Sequence, residues 1–188
     1  MKVPRLSGLL LFLILGACAQ QGQTPYAERY AAALDRFPGV APSSSQPVED
    51  FVKFFSSHAD GEAPTATALY ARELYFSDTL LTSERHDEVI AHLERMRTGT
   101  SALTVSVLDQ QVDGADVYVI WRMRARFAPV KRTVDSDSIG VTHLRFDATG
   151  RIVLQQDFWD SAEGFYRHLP VVSSVINSVA RRFGSDGS

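Results

Sequence analysis

The chain has 188 residues, of which 45% are hydrophobic, a composition typical of a globular domain with one core. Its 22 acidic and 19 basic residues give a net charge of −3, which argues against a nucleic-acid partner because phosphate binding needs a basic face. A single cysteine excludes an intramolecular disulfide. The five histidines show no metal-ligand spacing, so we predict no metal site and no cofactor.

The first 17 residues have the pattern of an export signal. Lys2 and Arg5 precede an apolar run over residues 9–15, which is too short to span a bilayer core of roughly 30 Å. Removal of this signal would leave 17 basic against 22 acidic residues, because Lys2 and Arg5 go with it, and a net charge of −5.

Two small residues, Gly16 and Ala17, stand directly before the only cysteine, Cys18. This arrangement resembles the lipobox of bacterial lipoproteins. The resemblance implies cleavage before Cys18, a thioether-linked diacylglycerol on its sulfur and acylation of the new amino terminus. Two or three acyl chains hold a protein stably at a membrane, whereas one does not. Ala19, in place of an inner-membrane Asp signal, implies the outer membrane, with the protein facing the periplasm.

Residues 18–47 are rich in Gln, Ala, Pro, Ser and Gly, which predicts a flexible tether, with a short helix over 26–37 as an alternative for its middle. One compact domain follows over residues 48–183, and residues 184–188 form a tail.

Three helical segments open the domain. Val48, Phe51, Val52 and Phe55 follow the spacing of a core-facing helix. After a break at residues 59–61, a short helix is predicted from residue 64 to 71 and a short strand over 73–77. Ser83 is the predicted cap of a third helix that ends at residue 99.

The pattern changes from helical to strand periodicity after residue 99. Residues 102–112, 116–130, 138–147 and 151–159 read as four antiparallel strands. In the second, one face carries Trp121, Met123 and Phe127, and the other carries Arg122, Arg124 and Arg126. Helices followed by a curved meander predict an α+β fold with the helices on one face of the sheet.

A helical segment with an apolar stripe ends the domain. Its apolar residues include Phe165, Ile176 and Phe183, and Arg181 and Arg182 lie near its end. We expect this segment to pack over the mouth of the fold, with binding to an anionic membrane as the alternative.

Two local motifs resemble the nuclear transport factor 2-like superfamily, also called SnoaL-like or ketosteroid-isomerase-like. Residues 68–71 followed by Asp78 match the segment that carries the base of ketosteroid isomerases, and residues 150–152 leading to 157–160 are similar to the last strand of SnoaL-like proteins. The resemblance implies a cone-shaped roll in which a curved antiparallel sheet encloses an apolar cavity closed by the N-terminal helices.

On this resemblance, aromatic and thioether side chains line or floor a ligand pocket, although each of them could instead simply fill a core. The candidate pocket residues are Phe51, Phe54, Phe55, Tyr70, Trp121, Met123, Phe127 and Trp159.

Three side chains are candidates for acid–base chemistry. The resemblance implies Asp78 as a general base, but the position of the family's oxyanion-hole tyrosine falls on Phe54; Asp78 is alternatively a turn-capping residue. Asp157 matches the last-strand carboxylate of epoxide hydrolases of this fold. Those enzymes also need an Arg and an Asp two residues apart on an earlier strand, where this chain has Arg122 and Arg124 without a carboxylate, so Asp157 is alternatively a polar group that binds a ligand or pairs with a strand Arg. His143 is the third candidate, with a solvent-facing or structural role as its alternative.

These observations favour a membrane-anchored periplasmic domain that binds a small hydrophobic ligand, such as a lipid, sterol-like or polyketide-like compound. The first alternative is an isomerase, cyclase or dehydratase that uses Asp78. The second is a protein-interaction module with a filled core. The superfamily's outer sheet face also suggests a homodimer, in which the arginine row meets a partner's carboxylates; pairing of that row with acidic neighbours in its own sheet is the simpler alternative.

Overall fold

The computed structural model describes residues 24–56, 63–128 and 133–183. The predicted signal peptide, Cys18, the break at residues 59–61 and the tail at 184–188 lie outside these residues. The helices are α1 (Tyr26–Arg36), α2 (Gln46–Ser56), α3 (Ala66–Leu69), α4 (His86–Gly99), α5 (Ser161–Gly164) and α6 (Pro170–Phe183), with a 3-10 helix at Tyr166–His168. The strands are β1 (Tyr70–Ser77), β2 (Thr82–Arg85), β3 (Thr100–Asp113), β4 (Asp116–Phe127), β5 (Val134–Phe146) and β6 (Ile152–Trp159).

The predicted α+β fold with a curved sheet is confirmed. Six strands form one sheet in the order β2-β1-β6-β5-β4-β3, and the four strands after α4 form an antiparallel meander. One pairing departs from a purely antiparallel sheet, because β1 runs parallel to β6. The short strand β2 was not anticipated: residues 82–85 pair with β1, so α4 begins at His86 rather than directly after Ser83.

Strand periodicity divides the sheet into two faces. Alternate β4 residues, from Val117 to Phe127, point to the concave face, where α2, α3 and α4 pack. Apolar side chains from these helices and from the concave face form the main core. Its fully buried members include Tyr70, Leu74, Phe76, Val89, Leu144 and Ile152.

Helix α1 packs on the opposite, convex face of the sheet. Its Tyr30, Ala33 and Leu34 contact Tyr75 and Leu154, which form a second, smaller core. The short helix over 26–37, given as the alternative for the middle of the tether, is present as α1, so a flexible tether over all of residues 18–47 is not what the structure has. The physical reason is the apolar stripe of α1, which is buried against the sheet.

A partly buried arginine holds the end of α1 against the sheet. Arg145 of β5 donates from Nη1 to the carbonyl oxygens of Leu34 (2.7 Å) and Phe37 (3.2 Å), and from Nε to the carboxylate of Asp116. The last carbonyls of a helix have no partner within the helix, so Arg145 supplies the donors that they lack.

Candidate functional site

A cavity of about 400 Å³ lies between the concave face of the sheet and helices α2 and α4. Its lining is predominantly apolar and includes residues from α2, α4, β3, β4, β5 and β6 together with Phe165. The interior is therefore not filled, in contrast to the alternative of a protein-interaction module with a filled core. Two tryptophan rings of the lining pack directly against glycines. A Cβ on Gly140 would collide with the ring of Trp121, and a Cβ on Gly164 would lie 2.6 Å from Cζ3 of Trp159.

Most of the side chains proposed for the pocket lie at this cavity. The lining residues among them are Phe51, Phe54, Phe55, Trp121, Met123, Phe127 and Trp159. Tyr70 is absent from the lining. Its ring is fully buried in the core behind the cavity, where its hydroxyl donates to Oε1 of Gln155 at 2.5 Å.

Asp157 presents its carboxyl group to the cavity from β6. Oδ1 accepts hydrogen bonds from the Thr142 hydroxyl (2.7 Å) and from Nε2 of Gln155 (3.2 Å), and Oδ2 lies 3.2 Å from the same nitrogen. Thr142 faces Asp157 across the β5–β6 ladder and itself accepts from Nε1 of Trp121 at 2.9 Å. The carboxyl group is thus held by two neutral donors, each fixed by a further hydrogen bond.

The surroundings of Asp157 disfavour its charged form. Desolvation raises its pKa, the nearby charge of Asp78 adds to this, and the donors Thr142 and Gln155 oppose it, so that the pKa is about 7. A carboxyl group with such a pKa exchanges its proton near neutral pH, which is the property that acid–base catalysis needs. Neither Thr142 nor Gln155 was anticipated from the sequence.

Asp78 also lines the cavity, but its oxygens are occupied by neighbouring donors. Oδ1 accepts from the backbone N–H groups of Leu80 (3.0 Å) and Leu81 (2.8 Å), so it caps the turn between β1 and β2. Oδ2 lies 2.6 Å from Nε2 of His92, a buried residue of α4. The sequence did not single out His92.

Neither tyrosine of β1, Tyr70 or Tyr75, offers its hydroxyl to the cavity in place of the one that Phe54 lacks. Tyr70 donates to Gln155, and Tyr75 donates to Oε1 of Gln156 at 3.1 Å from the convex side. Burial, together with the charges of Asp157 and Asp78, raises the pKa of Tyr70 well above its usual value, so its proton stays in place.

His143 is not brought together with either of the other two candidates. It lies on the convex face beneath α1, where Nδ1 is 2.8 Å from the Tyr30 hydroxyl and Nε2 is 2.7 Å from Oδ1 of Asp116. A neutral ring satisfies both contacts by accepting from Tyr30 and donating to Asp116. Desolvation lowers the pKa of His143, although Asp116 opposes this shift.

The arginine row of β4 is paired within its own sheet. Arg122 binds Asp137, and Arg126 binds Asp135 at 2.7 Å, both across the β4–β5 ladder. At the C-terminus, Phe165 lines the cavity and stacks on Phe127 with ring centroids 5.6 Å apart. Among the residues of α6 whose side chains the structure describes, 171–183, none contributes to the cavity lining or to the main core.

The described residues contain no group of three or more His, Cys, Asp or Glu side chains that could hold a metal ion. None of their helices is both long enough and apolar enough to cross a membrane.

A curved sheet roofed by helices around an apolar cavity defines a cone fold of the nuclear transport factor 2-like class. The chain belongs to the SnoaL-like domain family, whose model matches residues 48–155. No protein of curated function matches the chain significantly.

Solved structures show the same fold at low sequence identity. A putative SnoaL-like polyketide cyclase from Shewanella denitrificans is 19% identical, with a TM-score of 0.55 over 72% of this chain and 99% of that one. An epoxide hydrolase of M. tuberculosis, described as LEH-like, is also 19% identical, with a TM-score of 0.51 over 73% of this chain and 99% of that one. A hypothetical protein with a ketosteroid isomerase-like fold from Catenulispora acidiphila, in complex with trimethylamine, is 12% identical, with a TM-score of 0.52 over 65% of this chain and 91% of that one.

Proposed function

We propose that this protein is a periplasm-facing lipoprotein whose domain binds a small hydrophobic ligand in the cavity on the concave side of its sheet. The observation that carries the proposal is the cavity of about 400 Å³ with its mainly apolar lining. Ligand pockets in proteins have volumes of roughly 300–1,000 Å³ and combine apolar walls with a few polar groups. The lipid, sterol-like and polyketide-like compounds named above fit this description.

Binding is favoured over catalysis by the arrangement of hydrogen-bond donors. Among the described lining residues, the Ser136, Thr142, Gln155 and Trp159 donors already have acceptors within the protein. An enolate formed in the cavity would therefore find these four side-chain donors engaged, and the Arg97 guanidinium lies over the ring of Phe54. A preorganised donor contributes about 3–4 kcal/mol to a transition state.

Binding is tested with the neutral fluorophore N-phenyl-1-naphthylamine. We expect saturable fluorescence enhancement in the wild type and its loss in Ala125→Phe, because Ala125 lines the cavity and the added ring fills it. Ala32→Phe adds the same ring on an exposed face of α1 and serves as the matched control. Equal enhancement in all three proteins would contradict the proposal. Native mass spectrometry of the purified protein would identify a retained ligand.

A proton-transfer enzyme is the second candidate, favoured by the pKa of about 7 at Asp157. Isomerisation of 5-androstene-3,17-dione to the conjugated enone tests this activity. If turnover is found, Asp157→Asn should lower kcat by about 10²–10⁴ if Asp157 is the base, and Asp78→Asn should do so if the base is Asp78. Turnover unchanged in both variants would exclude both carboxyl groups as the base.

Anchoring through Cys18 is supported by the small residues before it and by the preceding apolar run. Metabolic labelling with palmitate should mark the wild type and fail in Cys18→Ser; equal labelling would exclude this site. The proposed outer-membrane location depends on Ala19, so Ala19→Asp should move the protein to the inner-membrane fraction, and an unchanged distribution would contradict it.

A homodimer through the convex face is supported by two exposed apolar side chains there, Ile139 (57% exposed) and Phe158 (41%). Sedimentation velocity should show a dimer that Ile139→Lys dissociates. A monomer at all concentrations would contradict this part of the proposal.

A further inference from the structure

We propose that the cavity's ligand is a hydrophobic amine whose ammonium group lies against Asp157. This inference rests on the proposed ligand-binding function and names the chemical class of the ligand. It is carried by the charges and the aromatic rings that the cavity brings together.

The first observation is a pair of carboxyl groups on the wall of one apolar cavity. Asp78 and Asp157 both line it, and the charge of Asp78 acts on Asp157. The hydrogen-bond partners of Asp157 are the neutral side chains of Thr142 and Gln155, and the ion pairs of the described residues include no arginine or lysine at either carboxylate. A charge removed from water is costly unless it is paired. A cationic ligand would supply the missing partner.

The second observation is the aromatic lining. Phe51, Phe55, Trp121 and Trp159 all line the cavity, as do Phe127 and Phe165. Aromatic faces attract ammonium groups through the ring quadrupole, and cages of such rings recognise quaternary ammonium ions. A lining that combines rings with carboxylates therefore favours a cation that also carries apolar groups.

The third observation concerns Arg97, the cationic side chain in the described lining of the cavity. Its guanidinium lies 5.8 Å from the centroid of the Phe54 ring, and the residue is partly exposed at the end of α4. Its charge is thus directed to an aromatic ring rather than to Asp157. An anionic ligand would meet two carboxylates in the cavity, and a neutral ligand would leave Asp157 without a counter-ion.

Binding of a cation should depend on pH through Asp157. The titratable or charged groups around it are Asp78 directly after β1, His92 behind Asp78, and Arg97 on α4. Tyr70 of β1 and Tyr26 of α1 are also near it, and the charge of Asp157 contributes to the raised pKa of each. Because the pKa of Asp157 is about 7, roughly nine-tenths of it is ionised at pH 8 and one-tenth at pH 6. The affinity for a permanent cation should therefore fall about ninefold between pH 8 and pH 6.

The experiment compares two ligands of nearly equal shape by isothermal titration calorimetry: phenethyltrimethylammonium, a permanent cation, and 2-methyl-4-phenyl-2-butanol, its neutral counterpart. At pH 8 we expect the cation to bind at least tenfold more tightly than the alcohol. The cation should lose affinity at pH 6, whereas the affinity for the alcohol should be the same at both pH values. Asp157→Asn should abolish the preference for the cation, so that the cation binds no more tightly than the alcohol. Asp137→Asn, on the convex face, removes a carboxylate far from the lining and should change neither affinity.

The outcomes separate this inference from the proposed function. Binding of the alcohol as tight as that of the cation, or an undiminished cation affinity in Asp157→Asn, would overturn the inference and leave hydrophobic binding in place. Absence of binding by both compounds, together with failure of the fluorophore test, would overturn the proposed function itself.

Discussion

Replacing Asp157 with asparagine should stabilise the protein increasingly as the pH rises. An acid whose pKa is raised on folding binds its proton more tightly in the native state, so its contribution to stability is present at low pH and is lost as the pH rises through the folded pKa. Here the window runs from the unfolded value of about 3.9 to about 7. Asparagine keeps the shape and carries no charge, so Asp157→Asn removes this loss.

The size of the effect follows from the width of that window. Each pKa unit corresponds to about 1.4 kcal/mol, so the full shift is about 4 kcal/mol, an upper bound because solvent in the cavity would stabilise the anion. Between pH 5 and pH 8, Asp157→Asn should gain about 2–3 kcal/mol relative to the wild type.

Urea denaturation at one-unit pH steps, followed by circular dichroism, measures this difference. The effects of other titrating groups cancel, because both proteins contain them. Asp137→Asn is the control: Arg122 lowers the pKa of the exposed Asp137, so this variant should show no gain as the pH rises. A stability difference for Asp157→Asn that does not change with pH, or that falls as the pH rises, would refute the reasoning.

Three further changes test the packing around the cavity and on the convex face. Gly140→Ala should lower the free energy of unfolding in urea by about 1–3 kcal/mol, because the added methyl group meets the Trp121 ring. In the control Gly99→Ala the methyl group meets no atom within 4 Å, so the loss should be far smaller. Equal losses would contradict the proposed contact. Arg145→Ala should cost about 3 kcal/mol and accelerate amide hydrogen exchange in α1 more than in β3; uniform exchange rates would show that Arg145 does not hold α1. Because burial lowers the pKa of His143, the wild type should lose stability relative to His143→Gln as the pH falls from about 7 to 5, and parallel pH profiles would argue against this titration.

The sequence was sufficient for the parts of the fold that depend on local periodicity. Alternation along β4 predicted which residues share a face, and the structure places Trp121, Met123 and Phe127 at the cavity. The helical stripe of α2 likewise predicted the core-facing side of that helix, where Val48 and Phe51 are buried. In both cases the side-chain period of the element alone determines the face to which each side chain points.

Features that depend on register and tertiary contact were not accessible in this way. Thr142 meets Asp157 only because the two residues are paired across β5 and β6, and His92 meets Asp78 only when α4 packs beside β1. His143 pairs with Tyr118, whose side chain points to the convex face, so the register places it away from Asp157. A one-residue difference in register would have reversed that side.

The attachment of α1 to the convex face has a mechanical consequence. Any pull transmitted from a lipid at Cys18 would reach the folded unit first through α1. The hydrogen bond from Arg145 to the end of α1 and the contact between Tyr30 and His143 would transmit this force to β5. Helices α2 and α4, which close the cavity, lie on the other side of the sheet and outside the line of force. The proposed anchoring at Cys18 would therefore not load the helices that close the cavity.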